Sequence, residues 1–114
     1  MDNKSTLSGK THNLKTLPPF FKAVKDGAKT FEIRKNDRNF QFGDTLVLKE
    51  YDEKYTGKEI KARVIYILNG GQFGLDKDYV IMSLKVGFFD ELSDKEFKEM
   101  LMSLDVKPIK REKI

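Results

Sequence analysis

The chain is 114 residues long, 39% hydrophobic and 35% charged, with no cysteine and a single histidine, His12. That length fits one domain; disulfides and thiol chemistry are excluded, and a zinc site built from His and Cys is effectively ruled out. No apolar run approaches a membrane span, and Met1 to Thr6 has no apolar signal core, so the expectation is a cytoplasmic monomer with no cofactor and no metal.

Net charge is +4 with a pI near 9.2, and it is unevenly spread. Residues 10–38 hold eight cations (Lys10, Lys15, Lys22, Lys25, Lys29, Arg34, Lys35, Arg38) against three anions (Asp26, Glu32, Asp37). A locally basic third of a chain can attract phosphate backbones. By itself, a charge of this size is an ordinary lysine-rich surface.

Residues 1–10 are polar and aperiodic and read as a flexible tail. A domain over 11–105 follows, and then a flexible basic tail over 106–114. Thr11 to Lys15 reads as a short strand with His12 and Leu14 on one face. Pro18-Pro19 suits the first turn of a helix, where a missing N–H costs nothing. Phe20, Phe21 and Val24 are its apolar stripe, and Gly27 stops it. Thr30 to Arg34 alternates as a strand, with Phe31 and Ile33 on one face and Thr30, Glu32 and Arg34 on the other; Phe20, Phe21 and Phe31 are expected in the core. A turn with Gly43-Asp44 leads to a strand over Leu46–Tyr51. Asp52 to Gly57 is a connection of hairpin length, and Lys58 to Leu68 is the longest strand. After the loop Asn69 to Gly74, Tyr79 to Val86 is the last strand. Ser93 and Glu96 form a capping box for a late helix whose apolar face is Phe97, Met100, Leu101 and Leu104. The expected fold is α+β: a small, closed or nearly closed barrel of five to six mainly antiparallel strands, with one helix early and one near the C-terminus.

Chemistry concentrates between Gly27 and Arg38. A core strand does not need Lys29, Glu32, Arg34, Lys35 and Arg38 in so few positions; a site for a polar or anionic ligand does. Lys29 and Arg34 suit phosphate, Arg with a bidentate fork. Glu32 can accept from a base amino group or serve only in an internal ion pair with Arg34 or Lys29. Tyr51, Tyr66 and Phe40 are candidates for base stacking. His12 can hydrogen-bond a ligand, although a lone histidine at a strand start is more often structural.

Gly27-x-Lys29-x-x-Glu32-x-Arg34 resembles the G-x-K-x-x-E-x-R signature of the ASCH domain family, within the PUA-like superfamily of RNA-associated β-barrels. His12-x-Leu14-Lys15, Phe21-x-x-Val24, Phe31 through Arg38, Phe42-Gly43-Asp44 and Leu48-x-Glu50-Tyr51 together resemble the DUF3850 subgroup of short bacterial and phage proteins. The resemblance covers roughly His12 to Leu84. It implies a PUA-like barrel and a cleft between the first helix and the strands, lined by the signature residues. It also implies binding of RNA or a nucleotide there. On that reading the nucleic-acid-binding residues are Lys15, Lys29, Glu32, Arg34, Lys35, Arg38 and Tyr51.

An enzyme is the competing class. One ASCH branch resembles an amidohydrolase that removes acetyl groups from N4-acetylcytidine with lysine, threonine and glutamate. Lys29 matches its lysine, but the threonine position holds Glu32, and Thr30 lies two positions earlier. Its distal glutamate corresponds to Glu50 or Glu59 without a clear choice. The catalytic candidates are therefore Lys29, Thr30 and Glu32. A metal-dependent nuclease would need clustered carboxylates, for which Glu32, Asp37, Asp44 and Glu50 are available. A third class is an interaction module presenting Met100, Met102 and Leu104.

Overall fold

The computed structural model describes residues 9–87 and, beyond them, Lys95 and Glu99. The expected late helix otherwise lies outside the described residues, as do most of the two tails. Among the described residues no helix is long and apolar enough to cross a membrane.

Within residues 9–87, five strands and one helix follow in the order β1 (Thr11–Thr16), α1 (Pro18–Lys25), β2 (Phe31–Lys35), β3 (Thr45–Tyr51), β4 (Tyr55–Asn69) and β5 (Tyr79–Val86). They form one sheet in the spatial order β1-β3-β4-β5-β2. β1 pairs with β3 in parallel, and the other three pairings are antiparallel. The strand boundaries agree closely with the alternation in the sequence. β4 is the exception: it starts at Tyr55, because Tyr51 and Tyr55 pair across a tight turn in which Asp52 N–H donates to Lys54 O at 2.8 Å.

β4 spans both halves of the sheet. Its first part pairs with β3 and its second with β5, and its register against β5 shifts between Val64 and Tyr66. Such a bulge bends the strand and increases its twist. The sheet therefore curls, and the edge strands β1 and β2 face each other across a seam. No backbone ladder joins them. Arginine side chains of β2 and the turn after it cross instead: Arg34 Nη2 donates to Lys15 O at 3.0 Å and Arg38 Nη1 to Asn13 O at 2.7 Å.

The core fills the concave side with Leu14, Val24, Phe40, Leu46, Leu48, Ala62, Val64, Val80, Met82 and Leu84. α1 begins with its two prolines and carries no side-chain cap. It buries Phe21 and Val24, three residues apart on one face. On its exposed side, the ammonium of Lys22 donates to Asp26 at 2.8 Å. That hydrogen bond, helped by the attraction of the opposite charges, raises the pKa of Lys22. At Gly27 the backbone takes φ +82; Gly27 N–H donates to Val24 O and Ala28 N–H to Ala23 O. This left-handed stop turns the chain into β2.

Two core expectations are corrected. Phe21 is buried, but Phe20 is 52% exposed and Phe31 is 40% exposed. Phe20 lies about 100° around the helix from Phe21, off the buried stripe. On β2 the alternation is as read, but the face turned inward carries Glu32 and, half-buried, Arg34.

The polar centre of the β1–β3 end is His12 with Asp44. His12 Nε2 lies 2.7 Å from Asp44 Oδ2, and both residues are buried. Asp44 also accepts from Gln41 N–H at 3.0 Å and from Lys10 N–H at 3.3 Å. The histidine ring packs edge-on against Phe40, with centroids 4.7 Å apart. Phe40 is therefore a core residue and not a stacking platform, and His12 is structural. Asp44→Ala would remove the partner of the buried His12 ring and of two part-buried backbone N–H groups, and we expect it to lower the unfolding free energy by about 3 kcal/mol or more in urea titrations.

Candidate functional site

β2 and the three residues before it place the charged side chains. Glu32 is the hub. Its side chain is only 4% exposed, and each of its oxygens meets one cation. Lys29 Nζ donates to Oε2 at 2.6 Å and Arg34 Nε to Oε1 at 2.9 Å. The i, i+2 spacing of Glu32 and Arg34 puts both on the inward face of β2. Lys29 reaches Glu32 because Gly27 has reversed the chain just before it. Lys29 Nζ also donates to Phe31 O at 2.7 Å and lies 5.0 Å from the Phe31 ring centroid and 6.0 Å from that of Phe20.

These groups line one open cleft of about 490 Å³, together with Lys15, Leu17, Phe20, Phe31 and Ile33. Three cations stand against one carboxylate, so the cleft favours an anion. Its apolar side is the set of Leu17, Phe20, Phe31 and Ile33, all exposed. Lys15 enters from the opposite edge strand, its ammonium 4.1 Å from the centroid of the Tyr51 ring.

The structure thus brings Lys15, Lys29, Glu32 and Arg34 together. Lys35 lines a separate depression with Asn36, Lys77 and Asp78. Arg38 is exposed and spans the seam to Asn13 O. Tyr51 lies outside the cleft lining and supports Lys15 from beneath. Thr30 is exposed, is not among the residues lining the cleft, and its carbonyl accepts from Leu84 N–H at 3.0 Å.

The carboxylates proposed for a metal stand apart. Glu32 is held by its two cations and Asp44 by His12, while Glu50 accepts from Thr56 Oγ1 at 2.9 Å. Among the described residues no three His, Asp or Glu side chains are grouped to hold an ion.

The sequence reading missed Leu17, Phe20, Phe31 and Ile33 as site residues. A signal was present: Leu17 and Phe20 are three residues apart, a second apolar stripe beside that of Phe21 and Val24. An inward Glu32 also forces Phe31 and Ile33 outward.

A curled sheet with an early helix, carrying a cation-flanked carboxylate at its seam, defines a small β-rich domain with a charged cleft. The chain belongs to the family described as "Domain of unknown function (DUF3850)", which matches residues 11–84 and so takes in every residue lining the cleft. It is also 33% identical over 82 residues to the "Uncharacterized 12.9 kDa protein in GpA 3'region" of Escherichia phage P2, a match covering 71% of this chain and 73% of that protein.

Arg34 makes two bonds that a lysine cannot make together, one to Glu32 and one across the seam. Arg34→Lys is expected to cost about 1–3 kcal/mol of stability. Arg38→Ala, which removes one exposed seam bond, is expected to cost about 1 kcal/mol or less, and chemical denaturation of both variants checks the difference.

Proposed function

We propose that this protein binds RNA or a nucleotide in the cleft between α1, β1 and β2, and that its curled sheet is a PUA-like barrel of the ASCH type. One observation carries the reading: Lys15, Lys29 and Arg34 share a cleft with two exposed phenylalanine rings. Phosphate contacts come from the cations, with Arg34 Nη1 having no hydrogen-bond partner among the described residues. Stacking comes from Phe20 and Phe31, since every base offers a π-face to an aromatic ring. Glu32, with both oxygens occupied, holds the cations in place. The early helix inserted between β1 and β2, and signature residues facing a cleft beside it, support the PUA-like assignment.

Stability alone gives a weaker account of the cluster. Burying a carboxylate costs several kcal/mol of hydration that its partners only repay, and two large aromatic side chains are left in solvent beside it. A ligand that covers the rings and neutralises the cations makes use of both features.

The test is fluorescence anisotropy with labelled single-stranded RNA, duplex RNA and DNA across a salt series. Binding should weaken log-linearly with salt, and Lys15→Ala should reduce the slope by about one unit. Phe20→Ala and Phe31→Ala should each weaken binding by about 1–3 kcal/mol, roughly 5- to 150-fold, with thermal melts little changed. Salt-dependent binding that neither phenylalanine variant alters would place the nucleic acid elsewhere and overturn the cleft reading.

A further inference from the structure

A second concave site lies beyond the end of β2. Its lining is Asn36, Asn39, Phe40, Gln41, Phe42, Tyr66, Ile67 and Asn69, around about 290 Å³. None of these eight side chains carries a charge, in a chain that is 35% charged. Four carry primary amides, and Phe42 and Tyr66 add aromatic surface. This is the opposite of the cleft, which is built from charges and exposed apolar groups.

The amides are set by hydrogen bonds. Asn36 Oδ1 accepts from Phe40 N–H at 2.9 Å. Gln41 Nε2 donates to Asn39 Oδ1 at 2.9 Å, fixing the two amides against each other. Gln41 itself is anchored through its backbone N–H to Asp44 Oδ2, at 3.0 Å. Among the described residues, Gln41 Oε1 and Asn39 Nδ2 have no hydrogen-bond partner, so an acceptor and a donor remain on neighbouring amides. Asn39 sits at φ 53, left-handed backbone that few residues other than Gly adopt without cost.

An uncharged pocket offering an adjacent amide donor and acceptor beside aromatic surface suits a nucleobase. Adenine is a base that amides of Asn and Gln can match in pairs, accepting from its N6 amino group and donating to a ring nitrogen. A base can enter such a pocket only when unstacked, which selects single strands. Position along the chain links the two sites. Arg34 and Asn39 are five residues apart, which bounds their Cα separation at about 18 Å. Arg38, exposed, lies between them in sequence.

We propose that the amide-lined pocket is a second subsite that recognises adenine in a single strand whose phosphates run from the cleft past Arg38. This rests on the nucleic-acid reading of the cleft and adds sequence selectivity to it. The cleft supplies charge and sequence-tolerant stacking; the pocket supplies the base preference.

The experiment compares oligo(A) with oligo(U) single-stranded RNA by anisotropy, for the wild type and for Gln41→Ala and Asn39→Gly. Glycine keeps the left-handed backbone while removing the amide, and Gln41→Ala keeps the backbone bond to Asp44. Thermal melts confirm that both variants fold. The wild type should bind oligo(A) about tenfold or more tightly than oligo(U), within the range of a paired amide–adenine contact. Both variants should bring oligo(A) down to the level of oligo(U) and leave oligo(U) unchanged. Binding of both strands without preference, or a preference that survives both substitutions, overturns the subsite and leaves the cleft reading standing. Equal loss for the two sequences assigns these residues a structural role and also overturns it. Failure of the wild type to bind either strand overturns the cleft reading and this one together.

Discussion

The structure turns on a single guanidinium. Arg34 reaches from the inward face of one edge strand to a carbonyl of the other through Nη2, and through Nε it holds Glu32. A curled sheet of five strands does not close by backbone pairing here. Closure is made by the side chains of Arg34 and Arg38, and Arg34 also fixes the charge geometry of the cleft. Glu32 gives the arrangement its precision. A carboxylate buried between Lys29 and Arg34 has one low-energy position, and both cations are oriented by it. Surface ion pairs are worth little because solvent screens them. This group is shielded enough for geometry to matter, yet it borders an open cleft.

The same constraint explains why β2 exposes what a core strand would bury. Once Glu32 and Arg34 occupy the inward face, strand geometry sends Phe31 and Ile33 outward. α1 adds Leu17 and Phe20 from the other side. Charged groups thus form the floor and apolar groups the sides, the reverse of a core. A short step further along the chain the lining changes character again, to neutral amides ordered among themselves. The three kinds of surface follow one another in the sequence between Leu17 and Gln41, so one continuous segment supplies most of the lining of both concave surfaces.

Much of this was legible before any coordinates. The two prolines and Gly27 bracketed the helix through well-understood backbone preferences, and Tyr79 to Val86 declared itself a strand by alternation between turn residues. The basic segment with Lys29, Glu32 and Arg34 at its centre stood out by charge density. Other features were hidden for definite reasons. Alternation along β2 separates two faces but does not say which is inside, so Phe31 was assigned to the core. The pairing of β1 with β3, across an intervening helix and strand, is non-local and leaves no mark on local pattern. β4 extends further back than its apolar residues suggest, because Tyr55 to Lys58 form an exposed ladder with no buried face to reveal it. The amides of Asn36, Asn39 and Gln41 read simply as turn chemistry, since nothing local shows that Tyr66 and Asn69 of β4 complete a pocket around them.

The placement of β1 at the margin of the sheet leaves carbonyls, among them those of Asn13 and Lys15, directed away from its partner strand. Left bare, such a row is a template on which a strand from another molecule can add, and that is how many β-rich proteins begin to aggregate. Arg38 and Arg34 occupy these two acceptors in alternate positions. The margin is thereby made unattractive to a foreign strand, with no sixth strand among the described residues to cover it. The molecule keeps its border protected while leaving the ground between β1 and β2 open as a cleft.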